Sequence, residues 1–79
     1  MVFGVYVVRD LKSTFMTPTV DQNDSTAARN FAHAVMKSDS VISSHKSDFE
    51  LYKIATFDNE TGSIVPLEVK ELVVEGVNF

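Results

Sequence analysis

Histidines and carboxylates are the residues of this sequence that could hold a metal ion or move a proton. The chain has two histidines and eleven acidic residues. Neither His33 nor His45 has a histidine or glutamate at the helical spacing that metal sites use, so the sequence predicts no metal site. His45 and Asp48 are predicted to hydrogen-bond nearby backbone and shape a loop, and a functional pair is the alternative.

The sequence has no residues suited to covalent catalysis or to nucleotide binding. The chain has no cysteine, and its three glycines are too far apart in sequence to form a phosphate-binding loop. Serines and threonines are common, but no motif places a base beside one of them. We therefore expect a protein that is not an enzyme and that needs no cofactor.

Aromatic and basic side chains offer a binding chemistry instead. Exposed rings on a sheet can stack on unpaired bases, and an antiparallel sheet often leaves one face uncovered. Of the aromatics on predicted strands, Tyr6 and Tyr52 are the best candidates for such a face because their hydroxyls tolerate water. The cations predicted to form a basic rim around them are Arg9, Lys12, Arg29 and Lys53. The alternative is an ordinary solvated charged surface.

The elements that must position these residues follow from hydrophobic patterning. Residues 2–8 are β-branched or aromatic on both alternating faces, which is typical of a central strand. Residues 14–20 form a second extended stretch, and Pro18 places it at a sheet edge. Residues 49–57 predict a third strand, residues 58–62 a turn, and residues 63–69 a returning arm, where Pro66 again indicates an edge.

A helix is predicted between these strand pairs, from about residue 27 to residue 37, after a polar turn with good N-cap residues. Its apolar stripe comprises Ala28, Phe31, Ala32, Val35 and Met36. Residues 38–44 lose the helical period and predict a partly packed loop, with Val41 and Ile42 tucked under the core. The expected fold is α+β, a small antiparallel or mixed sheet in β-β-α-β-β order with one helix packed on one face.

Length and charge limit what such a fold can be. At 79 residues the chain is one domain, residues 1–79, in which residues 70–79 form a further strand, a short helix or an arm. A core of this size is marginal, so we expect a homo-oligomer. Without an apolar stretch of about 20 residues or a signal segment, a soluble cytoplasmic protein with no membrane partner is expected. The net charge of −4 disfavours generic coating of nucleic acid.

A family resemblance rests on two groups of residues. The first comprises Val5-Tyr6, Asp10, Lys12, Phe15, Pro18 and Ala28-Arg29-Asn30-Phe31, and the second runs from His45 through Asp48-Phe49 to Phe57-Asp58 and closes at Gly62. Over roughly residues 5 to 65 the chain resembles the small nonstructural protein of gokushovirus-type microviruses. Lys46 stands where such proteins usually have proline after the histidine. The resemblance implies a DNA-binding phage protein in the cytoplasm of the bacterial host, without assigning binding residues.

Two functions follow from these observations. The first is a phage nonstructural protein that binds single-stranded DNA in genome replication or packaging, which the resemblance favours. The second is a non-enzymatic protein-protein adaptor that acts on the replication initiator, the procapsid or a host factor, which the acidity favours.

Overall fold

The chain folds into one four-stranded antiparallel sheet with one main helix, which is a small α+β fold. The computed structural model describes residues 1–37 and 39–79. Its strands are β1 (Val2–Asp10), β2 (Thr19–Asp21), β3 (Phe49–Asp58) and β4 (Ser63–Glu75), in the spatial order β2-β1-β3-β4. The predicted β-β-α-β-β order is confirmed, with all three strand pairings antiparallel.

The two prolines mark the two edges of this sheet. Pro18 immediately precedes the three-residue edge strand β2, and Pro66 lies within the edge strand β4. The apolar strand β1 lies between β2 and β3, as its pattern predicts. Proline lacks the N–H that a strand paired on both sides needs, so both prolines occupy positions that a sheet tolerates.

Helix α1 (Asp24–Met36) covers one face of the sheet. Asn23 caps it by accepting the Thr26 N–H at 2.9 Å. Its buried residues recur every fourth position, at Ala27, Phe31 and Val35. The predicted stripe is therefore right at its centre and wrong at Met36, which is 69% exposed because it lies about 140° around the helix from Phe31.

The core lies between α1 and this face of the sheet. Its buried members are Tyr6, Ala27, Phe31, Val35, Phe49 and Leu51, and partly buried residues from the rest of the chain, including Ile42, Val74 and Phe79, pack against them. Ile42 belongs to a short helix, α2 (Val41–Ser44), where the sequence predicted a loop. Val41 is exposed instead of tucked under the core. Ser38, at the start of the predicted loop, lies outside the described residues.

Two register shifts interrupt the pairing of β3 with β4, a small one between Leu51 and Tyr52 and a larger one between Lys53 and Ala55. Lys53 pairs with Glu71 but Ala55 pairs with Pro66, so residues 67–70 of β4 stand opposite the single residue Ile54. This wide bulge places Leu67 and Lys70 beside Ile54 on the face opposite α1. β4 then continues to Glu75, so residues 70–75 complete a strand of the same sheet and residues 76–78 form a 3₁₀ turn after it.

No helix in the described ranges is both long enough and apolar enough to cross a membrane.

Candidate nucleic-acid interface

Tyr6 lies in the core and not on an open face, so its predicted stacking role is wrong. Its side chain is 1% exposed and belongs to the cluster under α1. The hydroxyl donates to Asp24 Oδ1 at 2.6 Å, and the ring lies against Gly4, where a Cβ would collide with it. Burial, and then the bond to Asp24, raise the pKa of Tyr6 far above its usual value.

Tyr52 lies on the opposite face, which no helix of the described residues covers; we call it the helix-free face. It pairs with Val7 across β1 and packs edge-on against Phe15, with ring centroids 6.2 Å apart. Its hydroxyl donates to Glu50 Oε1 at 2.9 Å, and this bond raises the pKa of Tyr52. Tyr52 is half-buried, so one part of the predicted aromatic surface stands where the sequence placed it.

Two cations lie over the ring of Phe15 on this face. The Cζ of Arg9 lies 4.9 Å from the Phe15 ring centroid and the Nζ of Lys70 lies 5.8 Å from it, both within cation–π range. The segment is held in place by an isolated bridge between Arg9 and Phe15 and by the Met16 N–H, which donates to the Val8 carbonyl at 2.8 Å. We call Arg9, Phe15, Tyr52 and Lys70 the aromatic-basic cluster.

The other predicted cations do not join this cluster. Lys12 lies in the exposed turn after β1, where its backbone N–H donates to Asp10 Oδ1 at 2.9 Å. Arg29 is exposed on α1. Lys53 lines a polar groove beside Tyr6 and Asn23 on the α1 side of the sheet. Of the four, Arg9 alone is in the cluster.

A groove of about 480 Å³ runs beside the aromatic-basic cluster. Its lining is apolar except for one cation and comprises Val7, Phe15, Met16, Pro18, Ile54, Leu67 and Lys70. Phe15 and Met16 keep 38% and 45% of their surface exposed. A flat apolar group with an anion attached to one side would match this combination of lining and rim.

Carboxylates limit the attraction of this surface for phosphate. Arg9 pairs with Glu50 across the strands, and Glu50 pairs with Glu75. Two cations and two carboxylates thus share one end of the helix-free face. Coulombic attraction to a polyanion is weak there, and ring stacking would have to contribute most of the binding energy.

The remaining candidate sites show local contacts. The His45 ring Nδ1 lies 2.8 Å from Ser44 Oγ, and the His45 carbonyl accepts the Asp48 N–H at 2.9 Å, so this pair shapes the turn before β3. Within residues 1–37 and 39–79, no three metal-ligating side chains come together.

Sequence reasoning missed Phe15 and Lys70. Phe15 had a usable signal, since an aromatic residue in a polar segment just before a proline has few ways to reach a core. Lys70 had none, because the bulge at residues 67–70 brings it to Phe15, and the pairing register that creates the bulge is not encoded in any local pattern.

Comparison with known proteins gives one match. A family model described as Phage ORF5 protein matches residues 3–79. No curated protein and no solved structure matches the chain. The matched range contains the whole sheet from Phe3 onward and every residue of the aromatic-basic cluster.

Proposed function

The chain belongs to the Phage ORF5 protein family, and from this premise we propose that it is a nonstructural phage protein that binds single-stranded DNA in genome replication or packaging. The observation that carries the proposal is the exposed Phe15 ring with the cations of Arg9 and Lys70 beside it. The proposed setting is the cytoplasm of a bacterium infected by a small single-stranded DNA phage of the microvirus type. The role is binding, without catalysis or a cofactor.

Stacking is the contact that this surface supports best. A base stacked on an aromatic ring contributes about 1–3 kcal/mol, and the contribution depends little on sequence because every base has a π face. Phe15 is held from the side by Tyr52, so its ring is oriented before a base arrives. A pre-oriented ring loses little conformational entropy on binding.

The groove favours an unpaired strand over a duplex. Its lining combines the strand residues Val7 and Ile54 with the side chains of Phe15 and Leu67. A base must leave its helical stack to enter such a groove, and that costs least in a strand that is already single. Arg9 and Lys70 lie over the Phe15 ring, so a stacking base would have to displace at least one of them, and the displaced cation could then contact a phosphate of the bound strand.

Fluorescence anisotropy with a labelled oligonucleotide tests this proposal. Phe15→Ala and Phe15→Leu should both weaken binding by about tenfold, because leucine keeps the apolar volume but lacks the π face. Met36→Ala, an exposed apolar position on α1, is the matched control and should bind as wild type. Circular dichroism establishes that each variant is folded.

Two results would contradict the DNA proposal. One is the absence of binding by the wild type at low salt and tens of micromolar protein. The other is wild-type affinity in both Phe15 variants. If Phe15→Leu alone retained affinity, the ring would act by apolar contact and not by stacking.

The protein-protein adaptor is the second candidate, and the apolar groove is the observation that favours it. A groove with one cation at its rim also fits an apolar side chain followed by a carboxylate in a partner peptide. The net charge of −4 opposes a polyanionic nucleic acid far more than it opposes a peptide with a single carboxylate. Binding to the phage replication initiator, the procapsid or a host factor in the absence of DNA affinity would support this candidate.

A further inference from the structure

A second apolar surface lies at the end of the helix-free face beyond the aromatic-basic cluster, next to the groove. Two rows of cross-strand neighbours form it. One row crosses all four strands through Val20, Val5, Ala55 and Pro66, and the other crosses three strands through Phe3, Phe57 and Ile64. We call these seven residues the distal patch. All seven are apolar, and Phe3 and Phe57 stack with their centroids 6.5 Å apart.

From this patch we infer that the protein forms a two-fold dimer in which the distal patches of two copies pack face to face. The inference goes beyond DNA binding and does not depend on it. In the arrangement inferred, the aromatic-basic cluster of each copy stays outside the contact.

The outer residues of the distal patch are exposed to solvent. Val20 and Ile64 are 50% and 61% exposed, although they flank the buried residues Val5 and Ala55. The core under α1 lies on the other face of the sheet, so α1 does not cover the patch; Pro66 is exposed, and Phe3 and Phe57 are half-buried. A contiguous apolar patch of a few hundred Å² on a soluble protein is often an interaction site.

The apolar chemistry of the patch favours a second copy of the chain over a nucleic-acid strand. A nucleic-acid strand needs cations for its phosphates, and the seven residues of the patch offer none. A second copy needs none, because an isologous contact places the same apolar surface on both sides. A small core that is marginal by itself also gains most from burial against its own copy.

The sheet edges disfavour the competing mode of self-association, which is strand addition. β2 is only three residues long and follows Pro18. β4 is long, but Pro66 and the bulge at residues 67–70 interrupt the regular ladder that a neighbouring strand would need. Association through the face closes after two copies, whereas edge addition would continue.

The size of the patch sets the strength of the dimer. The molecule measures 39 by 21 Å in the two longest directions, so half of the helix-free face is about 400 Å² per copy and about 800 Å² for the pair. Specific interfaces of this size are weak. The dimer should therefore dissociate at micromolar concentrations and be visible as a monomer–dimer equilibrium.

Sedimentation equilibrium of the whole chain, without DNA, tests the inference over about 5 to 500 μM protein. Ile64→Glu places a charge in the patch and should weaken the dimer by about tenfold or more. Val65→Glu is the matched control: Val65 is the next residue of β4, is 59% exposed against 61% for Ile64, and points to the opposite face. Val65→Glu should dimerise as wild type.

A second measurement avoids any variant that might fail to fold. In the unmodified protein, amide chemical shifts should change with concentration at Val20, Phe57 and Ile64 and stay constant along α1. A strictly monomeric wild type, equal effects of Ile64→Glu and Val65→Glu, or concentration-dependent shifts confined to α1 or the β4 edge would each overturn the dimer. A monomeric wild type that still binds DNA would leave the DNA proposal standing and remove this inference alone.

Discussion

Replacing Tyr6 by phenylalanine removes one hydroxyl and leaves the ring in place. The hydroxyl donates to Asp24 Oδ1 at 2.6 Å and so joins the centre of the sheet to the first turn of α1. Because the ring is 1% exposed and fits against Gly4, phenylalanine should occupy the same space. The substitution thus measures the hydrogen bond with little cavity formation.

The magnitude follows from the two partners. A hydrogen bond to a charged group contributes about 1.5–3 kcal/mol. Asp24 is exposed, so water can replace the lost donor at its carboxylate, and no unsatisfied donor is left in the core. Both facts favour the lower end, about 1–2 kcal/mol. With a urea dependence near 1 kcal/mol per molar for a small domain, the midpoint should fall by roughly 1–2 M.

Urea unfolding followed by circular dichroism at neutral pH gives the free energy of unfolding of each variant. A double-mutant cycle adds the control: in an Asp24→Ala background, Tyr6→Phe should cost less than about 0.5 kcal/mol because its partner is already gone. An unchanged midpoint for Tyr6→Phe, or an equal cost in both backgrounds, would refute the inferred tie between sheet and helix.

Alkaline pH gives the same bond a second test. Burial and the Asp24 bond raise the pKa of folded Tyr6 above its unfolded value of about 10. A raised folded pKa means that the protonated form is favoured by folding, so the stabilisation is complete below about pH 10 and is lost as pH rises beyond it. The difference in stability between wild type and Tyr6→Phe should therefore be constant from neutral pH to about pH 9 and decrease above about pH 10.

Three further outcomes are expected. Phe31→Ala should lower the free energy of unfolding by about 3–5 kcal/mol, measured by urea unfolding, because Phe31 is 4% exposed and packs against Phe79; a loss below about 1 kcal/mol would mean that the α1 contact is not central to the core. Gly76→Ala should cost about 1–3 kcal/mol or more, because a Cβ there would collide with the Lys46 carbonyl oxygen, whereas Val77→Ala at an exposed neighbour should cost little. The slope of log affinity against log salt for single-stranded DNA should be about −1.4, from two cations at about 0.7 counterions each; a slope steeper than about −3 would require phosphate contacts outside the aromatic-basic cluster.

Strands and edges were predictable because their signals are local. The apolar run of β1, the turn before Gly62 and the two prolines predicted a central strand, a hairpin and two edge strands without any long-range information, and the structure has all of them. Gly62 has φ of +75°, a conformation that glycine adopts without strain, so the hairpin turn is where its sequence placed it. The centre of the helix stripe followed from the same kind of reasoning.

The face of the sheet that α1 covers was not predictable, because β1 is apolar on both sides. Tyr6 and Tyr52 are both tyrosines on neighbouring strands, yet α1 covers one and leaves the other uncovered. A strand with one polar face would have revealed which side the helix must cover, and β1 has no such face. The meeting of Phe15 and Lys70 depends on a bridge and a bulge between distant segments, which hydrophobic periodicity does not encode.

The strand order also determines how the chain must fold. β3 and β4 are joined by a tight turn, so their hairpin closes early and at small entropic cost. β1 lies in the middle of the sheet but must find β3 across a long separation, as in the pairing of Val7 with Tyr52. We therefore expect the docking of β1 to be the slow step of folding. Until it occurs, the two apolar sides of β1 are open to other unfolded chains, and rapid refolding at high protein concentration should favour aggregation over the native sheet.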